Sequence, residues 1–307
     1  MTIRLIFILF CLFNTAIAQD FNYSQLSKSQ ALVNPALINR NVNDYEIQIH
    51  RRSQWYTVTR PFNTIVFSYT QKQALKNTSL GFNIINDIAG DSRFSTDGVY
   101  LALANNIKIN EDNLSLGIQG SMFQKSLKYD ELFFLEEESF YNNTISFFDM
   151  NIGAAFMTSN FIASASIYHL NKPNQTFSST KQEKLEHKHV IYFSYIEPYN
   201  SKLILYPELY YFQQQENRSF VLGTNISYKI NNTDLKLGVY NRYGDAFFVN
   251  LGIIKDNLEL LLSYDVNTSS LYAASNSVGA FEFSITYGWN KKKLLDPKKN
   301  VVCPKYI

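Results

Sequence analysis

The feature that most limits what this chain can fold into is apolar/polar alternation with a period of two, held over unusually long stretches. From Gly279 to Asn290, Phe281, Phe283, Ile285, Tyr287 and Trp289 fall on one face, and Ala280, Glu282, Ser284, Thr286 and Gly288 on the other. Leu258, Leu260, Leu262, Tyr264 and Val266 alternate with Glu259, Leu261, Ser263 and Asp265. Leu114, Leu116, Ile118 and Met122 face away from Ser115, Gly117, Gln119 and Ser121. Successive side chains of a strand point to opposite faces, so each stretch reads as a strand with one apolar side. Fourteen can be marked, at roughly 44–51, 62–71, 78–87, 96–109, 113–127, 145–157, 160–170, 187–197, 201–213, 218–230, 233–243, 246–255, 257–266 and 279–290. Most exceed the roughly 5–6 residues of an average soluble strand. They match the roughly 9–11 that a tilted strand needs to cross a bilayer. A short helix around Leu26–Leu32 is the one helical pattern.

The connections carry the same message. If the chain starts in the periplasm, the even-numbered turns are short: Lys72–Asn77, Asn110–Asp112, Thr158–Ser159, Pro198–Asn200, Asn231–Asn232 and Asp256. The long connections, Arg52–Pro61, Ile88–Ser95, Lys128–Thr144, Asn171–Glu186 and Asn267–Val278, all fall on odd positions. Short periplasmic turns, longer external loops and an even strand count form the outer-membrane pattern. The expected fold is therefore all-β, a transmembrane antiparallel barrel of about 14 strands with both termini periplasmic.

Composition excludes the main rivals. Mean hydropathy is -0.18, and no stretch beyond the N-terminus reaches the roughly 18 apolar residues of a membrane-crossing helix. A 46% hydrophobic content with a net charge of +2 excludes a disordered chain. Near-balanced charge argues against nucleic acid as a partner.

The N-terminus sets the compartment. Arg4, the apolar run Leu5–Phe13 and the Ala16-Ile17-Ala18 site form a secretory signal peptide, cut after Ala18. Cys11 lies inside the apolar run and is not read as a lipidation site. Cleavage leaves Cys303 as one cysteine, without an intramolecular disulfide. The expected organisation is a signal peptide over 1–18, a periplasmic or lumenal segment over 19–43, an outer-membrane barrel over 44–290 and a basic periplasmic tail over 291–307. In the N-terminal segment, Pro35 biases Asn34 toward extended backbone, and residues 19–43 are expected in the lumen or against its mouth.

Catalytic signatures are lacking. The sequence contains no G-x-S-x-G, P-loop, G-x-G-x-x-G, H-E-x-x-H or C-x-x-C. His187 and His189 share a strand face but have no third ligand type beside them, so no metal and no cofactor is expected. Candidate contact residues are Arg51, Arg52, Gln54 and Trp55, at the first external loop or the strand end before it, where they could reach a partner or line the mouth, and Glu136, Glu137 and Glu138 in an acidic loop that suits a divalent cation, a basic partner or plain solvation. Trp55 also fits an aromatic belt at the membrane interface.

An ordered set of residues then resembles a known family. Asn34-Pro35-Ala36 is followed by Arg51-Arg52-Ser53-Gln54-Trp55, Pro61, Phe67-Ser68 and Asn86-Asp87-Ile88-Ala89-Gly90. Later come Ser263-Tyr264-Asp265, Ser269-Ser270-Leu271, Gly279-Ala280-Phe281-Glu282 and Cys303-Pro304-Lys305-Tyr306. Together these resemble the PorP/SprF family of the Bacteroidetes type IX secretion system over essentially the whole mature chain. Phe281 stands where family members often carry His. The resemblance implies a non-enzymatic outer-membrane barrel that binds and helps export or anchor a large secreted surface protein of adhesin type. The contact would run through that partner's C-terminal domain, alongside other secretion components and membrane lipid. It adds Cys303, Pro304 and Tyr306 to the candidate partner-binding residues. A porin or uptake channel for small solutes is the alternative on the same fold, and a soluble secreted β domain is the third reading.

Overall fold

A computed structural model describes residues 23–28, 30–54, 61–90, 94–127, 144–177, 182–268 and 278–291. The strands are β1 (Tyr45–Gln54), β2 (Phe62–Leu75), β3 (Thr78–Ala89), β4 (Phe94–Ile109), β5 (Asp112–Ser126), β6 (Thr144–Met157), β7 (Phe161–Tyr168), β8 (Lys188–Tyr195), β9 (Glu197–Pro198), β10 (Leu203–Gln214), β11 (Asn217–Ile230), β12 (Thr233–Arg242), β13 (Ala246–Lys255), β14 (Leu258–Asn267) and β15 (Val278–Trp289). β8 and the two-residue β9 both pair with β10 and are two pieces of one stave interrupted at Ile196. Every pairing is antiparallel between neighbours, and β15 pairs with β1 from Tyr45↔Trp289 to Gln54↔Ala280. The result is a closed barrel of fourteen staves. Closure removes the free edges that an open sheet would expose.

The seam is tied at its foot. Tyr45 stacks on Trp289 with ring centroids 5.3 Å apart. The Asp44 N–H donates to Asn290 Oδ1 (3.0 Å), and the Lys291 N–H donates to Asp44 Oδ2 (2.9 Å). On this rim the staves are joined by tight turns. Asn110, Asn231 and Asp256 take positive φ of 53–55° there. Asn and Asp tolerate this left-handed region better than other non-glycine residues.

The alternation read from the sequence maps onto two surfaces. Outward residues are apolar and exposed: Ile118, Leu222, Leu251 and Met122 are each more than half exposed. Phe281, Ile285 and Tyr287 of β15 also point out. Inward residues include Gln48, His50, Arg52, Asn83, Gln119, Asn151, Glu208, Asn250, Glu259, Asp265 and Glu282, all buried. A hydrophobic exterior around a polar interior is the arrangement a bilayer demands. The buried apolar core lies inside the barrel. There Val33, Ala36 and Leu37 meet inward rings such as Tyr100, Phe123 and Phe147.

Candidate functional site: the filled lumen

The described residues Tyr23–Lys28 and Gln30–Asn41 occupy the barrel interior. Tyr23–Lys28 follows the wall formed by β12–β15 and β1. The chain then crosses the lumen through a one-turn helix, Gln30–Val33, and a 3-10 helix, Pro35–Arg40, that lies against β3–β6. Pro35 sits in the first turn of that helix, where its missing N–H costs nothing. Asn34 caps it: φ is -161°, and its Oδ1 accepts the Ala36 N–H at 2.8 Å.

Asn34 also reaches the wall. Its Nδ2 donates to the carbonyls of Ala154 (3.1 Å) on β6 and Ala165 (2.9 Å) on β7. Two glycines paired across β5 and β6, Gly117 and Gly153, make this approach possible. A Cβ on Gly117 would lie 2.4 Å from Ala36 N, and one on Gly153 would lie 2.0 Å from Asn34 Oδ1. Further bonds run from wall side chains to helix carbonyls: Ser115 to Ala36 (2.8 Å), Ser166 to Val33 (2.8 Å) and Gln119 to Ala31 (3.1 Å). Asn39 donates to Ala104 O (3.2 Å) and Ser115 Oγ (2.7 Å). Behind Gln119, Asn151 and the His169–Asp149 pair extend the network.

The opposite wall holds Tyr23–Lys28 by charge. Glu282 on β15 accepts two successive backbone N–H groups, from Ser24 (2.7 Å) and Gln25 (2.9 Å). Arg52 on β1 bonds Glu282, and its Nη2 lies 3.4 Å from Asp265 Oδ2. His50 Nε2 lies 3.0 Å from the same Glu282 carboxylate. Ser24 Oγ donates to Asp265 (2.6 Å), Arg242 donates to Tyr23 O (3.2 Å) and Asn250 to Ser24 O (3.4 Å). Side chains thus read four consecutive main-chain polar groups. Lys28 pairs with Glu259, which also takes Lys236 at 3.1 Å. Buried charges that keep partners and hydrogen bonds are tolerated, whereas removing one partner is costly.

A third anchor ends the helix. Arg40 Nη1 donates to Tyr192 OH (2.8 Å), which donates to the buried Glu208 (3.0 Å). Tyr210, Tyr240 and Asn225 complete the donors around that carboxylate. Burial works against the Arg40 charge, but Tyr192 and Glu208 hold its pKa above the ordinary value. Between the segment and β1–β3 remains a gap of about 20 Å³, lined by Lys28, Gln48 and Asn83 among others. That is room for about one water.

The structure separates residues that the sequence grouped. Arg51 points outward and is exposed, while its neighbour Arg52 points into the lumen and is buried. Arg52 thus lies within β1 and not in the loop beyond it. Strand alternation turns it inward, where Glu282 and Asp265 engage it. Gln54 is half-buried at the end of β1. Trp55, Glu136, Glu137, Glu138, Cys303, Pro304 and Tyr306 lie outside the described residues. His187 and His189 sit with ring centroids 6.5 Å apart, and His187 Nδ1 lies 3.0 Å from the His169 carbonyl oxygen. Sequence reasoning missed Glu208, Glu259, Asp265 and Glu282 as anchors. Their signal was present: each is an acidic residue on the inward face of a membrane-length strand.

The sequence matches the family described as "Type IX secretion system membrane protein PorP/SprF" over residues 15–287. No curated protein matches it. Among solved structures it resembles the P. putida toluene transporter TodX, with a TM-score of 0.50 at 9% identity, covering 85% of this chain and 94% of that one. It also resembles the CymD monoaromatic hydrocarbon channel, with a TM-score of 0.50 at 10% identity, covering 90% and 95%. At such identities the likeness extends to the outer-membrane barrel fold alone.

Proposed function

The chain belongs to the PorP/SprF family of type IX secretion system membrane proteins, and on that premise we propose that it binds a large secreted surface protein through the partner's C-terminal domain and helps export or anchor it. It is an outer-membrane barrel of that secretion system, and it works there with other components of the machinery. The observation that carries the reading is the filled lumen. Three separate anchors, at Glu282, at Asn34 and at Arg40–Glu208, fasten the chain's own segment across the bore. A barrel closed in this way suits a scaffold better than a solute channel. The rim bearing the longer connections faces outward in this reading, with both chain ends in the periplasm. In this reading partner contact falls to Trp55, Glu136, Glu137 and Glu138, and to Cys303, Pro304 and Tyr306. Family and fold belong to a secretion barrel and not to an enzyme class, and the protein acts by binding.

The test pairs two measurements. Cells lacking this barrel should lose surface display of the partner, and the purified barrel should capture the partner's C-terminal domain. In planar bilayers the intact barrel should be electrically silent. Normal display together with steady solute conductance would replace this reading with that of an uptake channel.

A further inference from the structure

Arg51 stands on the lipid-facing side of the barrel. Beside it lies a depression of about 460 Å³, lined by Arg51 and Ser53 of β1, Phe281 and Phe283 of β15, and Tyr264 of β14. The strand register explains the patch: Arg51 pairs with Phe283, and Ser53 with Phe281, which in turn pairs with Tyr264. The β14–β15 ladder shifts register between Tyr264 and Val266. Such a bulge bends the strand and re-aims neighbouring side chains.

The register also places the patch relative to the bilayer. One row toward the barrel's middle, Ile49, Phe67, Ile84, Val99, Met122 and Phe148 form an unbroken apolar line. The row through Arg51 turns polar beyond Ile65, at Asn86, Asp97, Gln124 and Ser146. In the other direction it stays apolar, through Phe283, Leu262 and Leu251. Tilted strands cross a flat membrane plane in just this diagonal way, so Arg51 lies where hydrocarbon gives way to headgroups. Ser53 Oγ donates to Asn63 Oδ1 (3.0 Å), which marks the next row as polar.

The charge needs a counterpart. Glu282, its nearest acidic neighbour in register, points into the lumen and is held by Arg52. Among the described residues Arg51 makes no ion pair. A guanidinium binds phosphate through paired hydrogen bonds, and the aromatic rings beside it suit the first methylenes of an acyl chain. β1 runs from Arg51 toward the rim of the longer connections, which is the external side of a barrel of this kind.

We propose that this patch is a binding site for the phosphorylated headgroup of an outer-leaflet glycolipid. Arg51 holds the phosphate, and Phe281, Phe283 and Tyr264 hold the upper acyl chain. The site is independent of the lumen and of the secretion partner.

Native mass spectrometry of the full barrel, titrated with purified lipid A and separately with phosphatidylglycerol, tests it. Wild type should retain one lipid A more firmly than phosphatidylglycerol. Arg51→Gln should lose that lipid at least fivefold more readily, and Arg51→Lys should fall between. Heat-modifiable gel mobility confirms that each variant is folded. Equal lipid A retention by the folded Arg51→Gln barrel overturns the proposal, and equal retention of both lipids by wild type overturns the glycolipid assignment. A photo-crosslinking residue in place of Phe281 should capture lipid in cells, and a discrete protein adduct there would make the patch a protein-docking surface instead.

Discussion

The two walls that hold the lumenal segment do so by opposite means. Against β5 and β6 the contact is a matter of shape: paired Gly117 and Gly153 let backbone meet backbone, and Asn34 spends its amide on wall carbonyls. Against β14, β15 and β1 the contact is electrostatic, with Glu282 and Asp265 balanced by Arg52 and by the segment's own N–H groups. The first wall tolerates no added atoms. The second tolerates no missing charge. Each is intolerant in its own way because one works through contact distance and the other through buried, poorly screened charge.

The largest effect should come from breaking the charged wall. Arg52→Ala leaves Glu282 and Asp265 facing each other inside the barrel, and the expected cost is about 3–5 kcal/mol. Denaturant midpoints in detergent, followed by heat-modifiable mobility, measure it. The double variant Arg52→Ala with Glu282→Gln should recover part of the loss. If it recovers none, Arg52 acts through packing and not through charge.

Gly117→Ala probes the other wall. One methyl set 2.4 Å from Ala36 N must push the 3-10 helix off β5, at an expected cost of about 1–3 kcal/mol. The staves themselves lose no contact. Limited proteolysis should therefore cut the segment before β1 while the barrel stays folded. A variant as protease-resistant as wild type would show that the wall yields instead of the segment.

Asn34→Ala removes the helix cap and both wall bonds but leaves the fit intact, for about 1–2 kcal/mol. Amide exchange should rise at Ala36 and Leu37 and stay unchanged at Ser24 and Gln25. Equal changes at both places would mean that the two walls are one cooperative unit.

The smallest effect lies outside the lumen. The Lys172 ammonium bonds Glu186 and holds its carboxyl below the usual range. The contribution of that contact is complete above the ordinary carboxylate pKa and is lost as pH falls through the lowered value. Exposed pairs contribute little. Glu186→Gln should leave the denaturant midpoint near that of wild type at neutral pH and reduce only the slight acid sensitivity of loop exchange. All three lumenal variants should outrank it.

Much of the wall is legible in the order of residues along the chain, and particular positions show why. Ile118 and Gln119 had to face opposite ways because a pleated strand permits nothing else. Boundaries such as 246–255 and 233–243 fell within a residue of β13 and β12 because turn residues punctuate them. The anchors were less legible. Glu282 could be read as inward, but nothing local said what it would meet.

By itself, the sequence determined the stave count, the lipid-facing and lumen-facing positions, and the asymmetry between short and long connections. All of these follow from a period of two and from turn chemistry, which are local. Only the tertiary structure decided that Ser24 meets Glu282, 258 residues away, that Asn34 lands on Gly153, and that Arg52 meets Glu282 and Asp265. Barrel closure sets which inward positions face one another across the bore, and the width of that bore decides that one crossing segment fills it. Neither quantity is carried by neighbouring residues along the chain.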